Sequence, residues 1–578
     1  MTWFAQTLID HPEIAVLLTV GLGFWVGRIH YKSIGLGAVT GTLLVGVVIG
    51  ALVHVTASDG TITHIAVDGP AKSIFFLLFL FALGFRLGPQ FFSGLKGAGL
   101  AQALFAVILA VVAIATVVVL SKVLGFNPGL AAGLASGGLT QSAIIGVSQG
   151  SIAGLPESAD TITQWQGLVP VAYAVTYIFG TVGTALFIAN VAPRILGIKD
   201  LPAAAAALER KLGFSDPNPD VSSAYLDVVR RAYRLTALPE GVRNVAELEQ
   251  YLDDRNGTAE HVFVARIRRG SGQVEDPNLD AFLAVGDTVV LTARRHDLFA
   301  AHVEPFTEEA DDRELLDFPI EDLWVVASSK EVVGHTIGEL ATDPRSRRIF
   351  VRGLKRSGRD IPWSHQTRID SGDEIHVQGP LPLLEAGIKH AGYPVRNTTD
   401  TNMVTVGLAI AIGALIGVPT VLVSGIPLGL STSVGALLAG LLVGWYRTRS
   451  PKVAKLPGST QWFLETVGLN VFIGIVGLTS GPGFVDGLRQ YGLSLLLAGA
   501  VVTLLPLLVM TFLAKWVFKF DPVITLGVLC GSRSATAAVG ATREAAKSAV
   551  PLLGYSVPYA IANIVLTVGG AVIVALMG

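Results

Sequence analysis

Long apolar runs occupy residues 1–200 and 396–578 of this 578-residue chain, while apolar and polar positions alternate at short range in 201–395. In the first stretch the runs fall at 12–27, 34–54, 71–88, 98–121, 128–149 and 166–192. In the last they fall at 404–422, 428–445, 461–481, 492–518, 522–543 and 552–577. About 20 apolar residues span the hydrocarbon core of a bilayer as a helix, so each run predicts a membrane-embedded segment. The middle reads as two small α/β modules, 201–305 and 306–395. Val262-Phe263-Val264-Ala265-Arg266 resembles Ile349-Phe350-Val351-Arg352-Gly353, and Gly286-Asp287 precedes a strand as Gly372-Asp373 does.

The two apolar stretches match in register. Gly35, Leu36, Gly41, Leu43, Leu44 and Gly46 recur 394 residues on as Gly429, Leu430, Gly435, Leu437, Leu438 and Gly440. Gly84, Gly88, Pro89, Phe91, Gly94 and Leu95 recur 393 residues on as Gly477, Gly481, Pro482, Phe484, Gly487 and Leu488. A third pair runs from Phe126-Asn127-Pro128 to Thr140-Gln141-Ser142, and from Phe520-Asp521-Pro522 to Ser534-Ala535-Thr536. Proline lacks the N–H and clashes with the preceding turn, so each Gly-Pro predicts a helix break. Interrupted apolar segments at corresponding places in two halves point to a transporter's substrate site.

Charge adds orientation. The chain is 51% hydrophobic and 15% charged, with mean hydropathy +0.58, a membrane-protein composition. Residues 201–400 hold 24 of the 42 Lys+Arg and 33 of the 44 Asp+Glu, so the plan is membrane, soluble, membrane. Lys and Arg concentrate in cytoplasmic loops. Arg28 and Lys32 follow the first segment of the first half, whereas Arg447, Arg449, Lys452 and Lys455 follow the second segment of the second half. The loop 54–70, equivalent to the latter, carries Asp59 and Asp68 only. The halves therefore read as an inverted repeat. The charges around the fifth segments come right only if each enters and returns, turning at Gly137-Gly138 and Gly531-Ser532. The expected fold is a polytopic α-helical membrane protein. Each half has five spanning helices plus a re-entrant hairpin, the middle is cytoplasmic and both termini are external. Met1–Asp10 has no basic n-region, so the first apolar segment is expected to stay as a helix.

Other classes fit poorly. A net charge of −2 with no basic, aromatic-interleaved stripe predicts no nucleic-acid partner. The single Cys530 excludes an intramolecular disulfide or a multi-cysteine metal site. Without a Walker A run, a complete GxGxxG after a strand, a His cluster or a nucleophile elbow, neither a cofactor nor an enzymatic reaction is expected.

The two inverted halves, the paired Gly-x-x-x-Gly-Pro runs, and two central modules similar to RCK C-terminal (TrkA-C) domains resemble the aspartate:alanine exchanger family over essentially the whole chain. The resemblance implies a homodimeric antiporter in the lipid bilayer of a bacterial inner membrane. It would bring in aspartate and expel alanine, the product of cytoplasmic decarboxylation. The competing readings are a transporter of another dicarboxylate or amino acid, and an RCK-regulated cation channel or antiporter. A potassium filter would show a Thr-Val-Gly-Tyr-Gly-like carbonyl run, and none is present.

Ionisable residues inside apolar segments are functional by default. Arg86 falls on Thr479 in the other half, and Arg533 on Leu139, so each half offers one arginine that the other lacks. A guanidinium holds a carboxylate through two parallel hydrogen bonds. Helix N-termini at the hairpins, and at Gly88, Pro89, Gln90 and Gly481, would offer N–H groups to a second carboxylate. Thr140, Gln141, Ser142, Ser480, Ser532, Ser534 and Thr536 would serve the ammonium and the remaining oxygens. In the purely structural alternative, Arg533 pairs with Glu465 or caps backbone, and Arg86 snorkels towards the cytoplasm.

Overall fold

The computed structural model describes residues 2–31, 34–56, 62–67, 69–95, 99–212, 227–256, 261–270, 272–356, 359–395, 401–423, 426–429, 431–447 and 455–578. Lys32, Asp59, Asp68, Arg449 and Lys452, used above for orientation, and Leu430 of the repeat lie outside them. Two compact units form, Met1–Lys211 with Asn397–Gly578, and Leu212–Arg396.

The first unit opens with α1 (Thr2–Asp10) and α2 (Pro12–Gly27), bent by 102° at their junction. A hairpin, β1 (His30–Tyr31) and β2 (Ile34–Gly35), leads to α3 (Ala38–Leu52). A second, β3 (His54–Thr56) and β4 (Ile62–His64), leads to α4 (Gly69–Gly94) and α5 (Gly99–Val123). Then come α6 (Pro128–Gly138), α7 (Ala143–Ala153), α8 (Ala159–Leu186), a π turn (Phe187–Val191), α9 (Ala192–Leu196) and α10 (Leu201–Leu212).

The second unit holds two modules of one topology. The first has β5 (Val228–Leu235), α11 (Val245–Asn256), β6 (Phe263–Arg268), β7 (Val274–Glu275), β8 (Thr288–Arg294), α12 (Arg295–Ala300) and β9 (Thr307–Glu309). After α13 (Arg313–Leu316), the second has β10 (Ile320–Ala327), α14 (Ile337–Ala341), β11 (Phe350–Arg356), β12 (Arg359–Asp360), β13 (Glu374–Pro380), α15 (Leu381–Ala391) and β14 (Gly392–Val395). The sheet orders are β7-β6-β8-β5-β9 and β12-β11-β13-β10-β14. Even the bulges correspond, between Val264 and Arg266 and between Val351 and Gly353. Gly286 and Gly372 both turn with positive φ, +98° and +88°, which glycine adopts without a Cβ penalty.

The first unit then resumes with α16 (Met403–Gly417), a hairpin of β15 (Thr420–Val423) and β16 (Ile426–Gly429), α17 (Ser431–Arg447) and α18 (Gly458–Leu513). It closes with α19 (Pro522–Ser532), α20 (Thr536–Ala546) and α21 (Ser556–Met577). The element order of the first half thus recurs. Among the described residues five helices are long and apolar enough to cross a membrane, or six if α1 and α2 count as one span. The runs at 34–54 and 428–445 give helices shorter than expected, because part of each apolar stretch folds as a hairpin strand instead.

The Gly-Pro runs do not break their helices. α4 continues through Gly88-Pro89 to Gly94, and α18 continues through Gly481-Pro482 for 56 residues, joining two runs expected as separate segments. What pays is packing against a neighbour. Pro89 and Pro482 remove the hydrogen bonds that the carbonyls of Phe85 and Leu478, four residues back, would accept. Both carbonyls lie against a glycine of the other half: a Cβ on Gly444 would sit 2.1 Å from Phe85 O, and one on Gly50 would sit 2.1 Å from Leu478 O. Irregular hydrogen bonding inside a membrane helix is tolerated where a neighbouring helix covers it. Gly84 and Gly88 press equally close on α17, and Gly477 and Gly481 on α3. Four small-x-x-x-small glycine pairs thereby make two seams, α3 with α18 and α4 with α17, and each seam crosses from one half to the other.

The hairpins turn later than Gly137-Gly138 and Gly531-Ser532. α6 ends in a Schellman motif, with Thr140 N bonding Gly137 O at 3.0 Å and Gln141 N bonding Ser136 O at 2.8 Å. α19 ends the same way, through Ser534 N to Gly531 O at 2.8 Å and Ala535 N to Cys530 O at 3.1 Å. The left-handed positions belong to Thr140 (φ 56°) and Ser534 (φ 50°). Gly137 serves close packing instead: its Cβ would lie 2.0 Å from Thr176 Oγ1. Both segments double back. Gly129 at the start of α6 abuts Trp165, and Gln149 near the end of α7 exchanges side-chain-to-backbone hydrogen bonds with Gln166.

A side chain at Gly444 or Gly50 should therefore be costly. Gly444→Val and Gly50→Val are each expected to destabilise the detergent-solubilised protein by about 1–3 kcal/mol through overpacking, read as a lower thermal unfolding midpoint. Gly407→Val, where a Cβ meets open space, is expected to leave it unchanged.

Candidate functional site

The tips of the two hairpins meet, and Arg533 joins them. It caps the C-terminus of α19 and is fully buried. Its Nη2 donates to the carbonyl of Gly138, at the end of α6, at 2.6 Å, and to Thr184 Oγ1 at 3.3 Å. Thr503 Oγ1 donates to the same carbonyl at 3.0 Å. Thr140 Oγ1 lies 3.4 Å from the Arg533 carbonyl, so each tip touches the other's backbone. A helix C-terminus carries roughly half a negative charge. Two such ends, of α6 and α19, converge here and offset the guanidinium in place of a carboxylate.

The site keeps unused polar capacity. Arg533 Nε and Nη1, and the hydroxyls of Ser532 and Ser534, have no hydrogen-bond partner among the described residues, although all are buried. The outer helices of the hairpins are capped in the usual way, α6 by Asn127 and α19 by Asp521. The inner helices α7 and α20 have no side-chain cap. Their first N–H groups, where helix dipoles favour anions, thus start at the tips.

Arg86 builds a second cluster. Its Nη1 lies 3.1 Å from Glu465 Oε2 and its Nη2 donates to Tyr559 OH at 3.4 Å. Gln461 holds the other Glu465 oxygen at 3.0 Å. Glu465 therefore partners Arg86, not Arg533: α4 and α18 bring them together across the halves. The cluster connects to the first tip, because Asn563 donates to Tyr559 O at 2.7 Å and accepts from Gln141 Nε2 at 3.1 Å.

The remaining candidates divide. Ser142 Oγ shares a 2.9 Å hydrogen bond with Tyr173 OH beside the first tip. Thr536 is exposed in the first turn of α20. Gly88 and Gly481 pack on neighbouring helices and Pro89 sits within α4, so none of them starts a helix. Gln90 and Ser480 are buried in α4 and α18. Sequence reasoning missed Thr184, Thr503, Tyr173, Tyr559 and Asn563. Their signal was a polar group in an apolar helix, which alone more often marks backbone bonding.

Comparison with known proteins agrees with this architecture. A family model described as Predicted Permease Membrane Region, Asp-Al_Ex, matches residues 15–193 and 405–575, the two halves that build the paired hairpins. The chain belongs to this family, the aspartate:alanine exchanger family. An uncharacterized transporter of Shewanella oneidensis is 38% identical over the full length of both chains. One of Bradyrhizobium diazoefficiens is 36% identical over 92% of this chain and its own full length. One of Zymomonas mobilis is 31% identical over 99% of each chain. No solved structure matches. The chain is thus a membrane transporter of this exchanger family.

The shared acceptor at Gly138 sets an expectation. Arg533→Met removes a buried charge whose desolvation is costly, and Thr503→Val leaves Gly138 O bonded to Arg533. The double variant leaves that carbonyl with neither donor. It is expected to lose about 1–3 kcal/mol beyond the sum of the single changes, read by thermal unfolding in detergent.

Proposed function

We propose that the protein exchanges external aspartate for internal alanine across a bacterial inner membrane by alternating access. The reading rests on the Arg533 guanidinium, buried between two hairpin tips with Nε and Nη1 undonated. Each is a charge-assisted donor to which a side-chain carboxylate oxygen would bond, on either side of the Nη2 already held by Gly138 and Thr184. The uncapped N-termini of α7 and α20 suit the α-carboxylate. Hydroxyls of Thr140, Ser142, Ser532 and Ser534, with the carbonyls that end α6 and α19, suit the ammonium. Arg86, tied to Glu465 and linked through Asn563 to Gln141, gates or assists from the cytoplasmic side. A cation path is disfavoured by a buried arginine at the meeting point.

In this scheme the halves are inverted, the central modules are cytoplasmic and similar to RCK C-terminal domains, the termini are external, and the protein is a homodimer. At pH 7 aspartate carries net −1 and alanine is neutral. One-for-one exchange therefore moves one negative charge inward and is electrogenic.

Lysine keeps the charge of Arg533 but loses the separately aimed Nε and Nη1 donors of the planar guanidinium. Arg533→Lys is expected to weaken aspartate binding tenfold or more, and alanine binding much less, in counterflow from proteoliposomes. Equal weakening of both would move Arg533 to the shared α-carboxylate. No change in a folded variant would remove it from the site. An inside-positive potential is expected to speed aspartate uptake against alanine, and indifference to potential would contradict uncoupled exchange.

A further inference from the structure

The two central modules share a topology but not an interior. In the first, α11 has 12 residues, and its Val245, Leu248 and Leu252 fill the core beneath the sheet. In the second, the equivalent α14 has only 5 residues before the chain turns at Pro344–Ser346. The shortened helix leaves a cavity of about 170 Å³. Its walls include Val325, Ile337, Phe350, Ile375, Val377 and Ile388, all buried residues that a packed module would seal together. His261, Phe263 and Arg294 of the first module also line it.

The same cavity carries a compact group of both charge signs. Arg345 Nη1 lies 2.5 Å from Glu331 Oε2, and Nη2 lies 2.7 Å from Asp343 Oδ2. His390 Nδ1 lies 3.4 Å from the same Glu331 oxygen. All four residues line the cavity, and Arg345, Glu331 and His390 are about half exposed. Hydrogen bonds from Arg345 hold the Asp343 carboxyl at about 2 and draw the Glu331 carboxyl below its usual range. Both therefore stay charged near neutral pH.

We propose that this cavity binds an α-amino acid with an apolar side chain. A dry cavity of about 150 Å³ accommodates a benzene-sized body, so a leucine or phenylalanine side chain matches the space. A ligand's carboxylate and ammonium would insert between Arg345 and Glu331, replacing an exposed ion pair that is itself weak. A fatty acid would face Glu331 and Asp343 with its carboxylate, and a simple amine would take Glu331 from Arg345 and return no carboxylate, leaving Arg345 with Asp343 alone. Only a zwitterion satisfies both signs. Binding would fill the second module's core and press on the first through Phe263, which already packs edge-on against Phe350 at 5.9 Å. The central unit would then sense apolar amino acids at a site separate from the transported substrate.

Isothermal titration of the purified full-length protein in detergent tests this. L-Leucine or L-phenylalanine is expected to bind, whereas 4-methylpentanoate and isopentylamine, each lacking one charge, bind at least tenfold more weakly. Val377→Trp fills the cavity and is expected to abolish binding. Arg345→Ala, on the exposed rim, is expected to weaken leucine tenfold in a protein that still folds. Millimolar aspartate is expected not to displace leucine. The proposal is overturned if neither amino acid binds, if the acid or the amine binds as tightly, if aspartate competes, or if Arg345→Ala has no effect.

Discussion

A guanidinium buried without a carboxylate has to be held by dipoles, and that requirement organises the first unit. Arg533 is fully buried, and its closest hydrogen-bond acceptor is the last helical carbonyl of the opposite hairpin. Burying an isolated charge in a low-dielectric interior is expensive. The expense is offset where two helix C-termini converge, because their carbonyls are already oriented and need no reorganisation. The compensation is incomplete: among the described residues, two nitrogens of Arg533 and two neighbouring hydroxyls remain unmatched. An anionic ligand would match them.

Such a site needs rigid surroundings, and the surroundings come from repetition. The two glycine seams place α3 on α18 and α4 on α17 by the same contacts, 393 or 394 residues apart. Because each seam joins one half to the other, the halves interlock rather than merely adjoin. The strained Thr140 and Ser534, both left-handed, sit at the tips this frame brings together. Backbone strain persists only where the surroundings over-determine it, and here it adjoins one of the two positions where one half carries an arginine that the other lacks, Leu139 against Arg533.

Much of this was legible in the sequence, for reasons that also explain the errors. The constant offset exposed the repeat, and charge placement exposed the doubled-back hairpins. The Gly-Pro runs were misread as breaks because the rule for proline assumes an isolated helix. A glycine of the other half packs directly against the freed carbonyl. The hairpin turn was assigned to glycines whose task is close packing against α8, while threonine and serine took the left-handed positions. The Arg86–Glu465 pair and the Gln141–Asn563–Tyr559 chain join distant helices, so no local pattern announced them. The hollow second module was likewise invisible, since a helix of 5 residues and one of 12 leave similar alternation in the flanking strands.

The central claim is that substrate enters between two hairpin tips that touch in its absence. The direct measurement is crosslinking of Thr140→Cys to Ser534→Cys with a short thiol reagent, in a Cys530→Ser background reconstituted in liposomes. The account predicts rapid crosslinking without ligand and marked slowing by saturating aspartate, with no slowing by an equal concentration of potassium chloride. Failure to crosslink in a transport-competent variant, or a rate indifferent to aspartate, would contradict it.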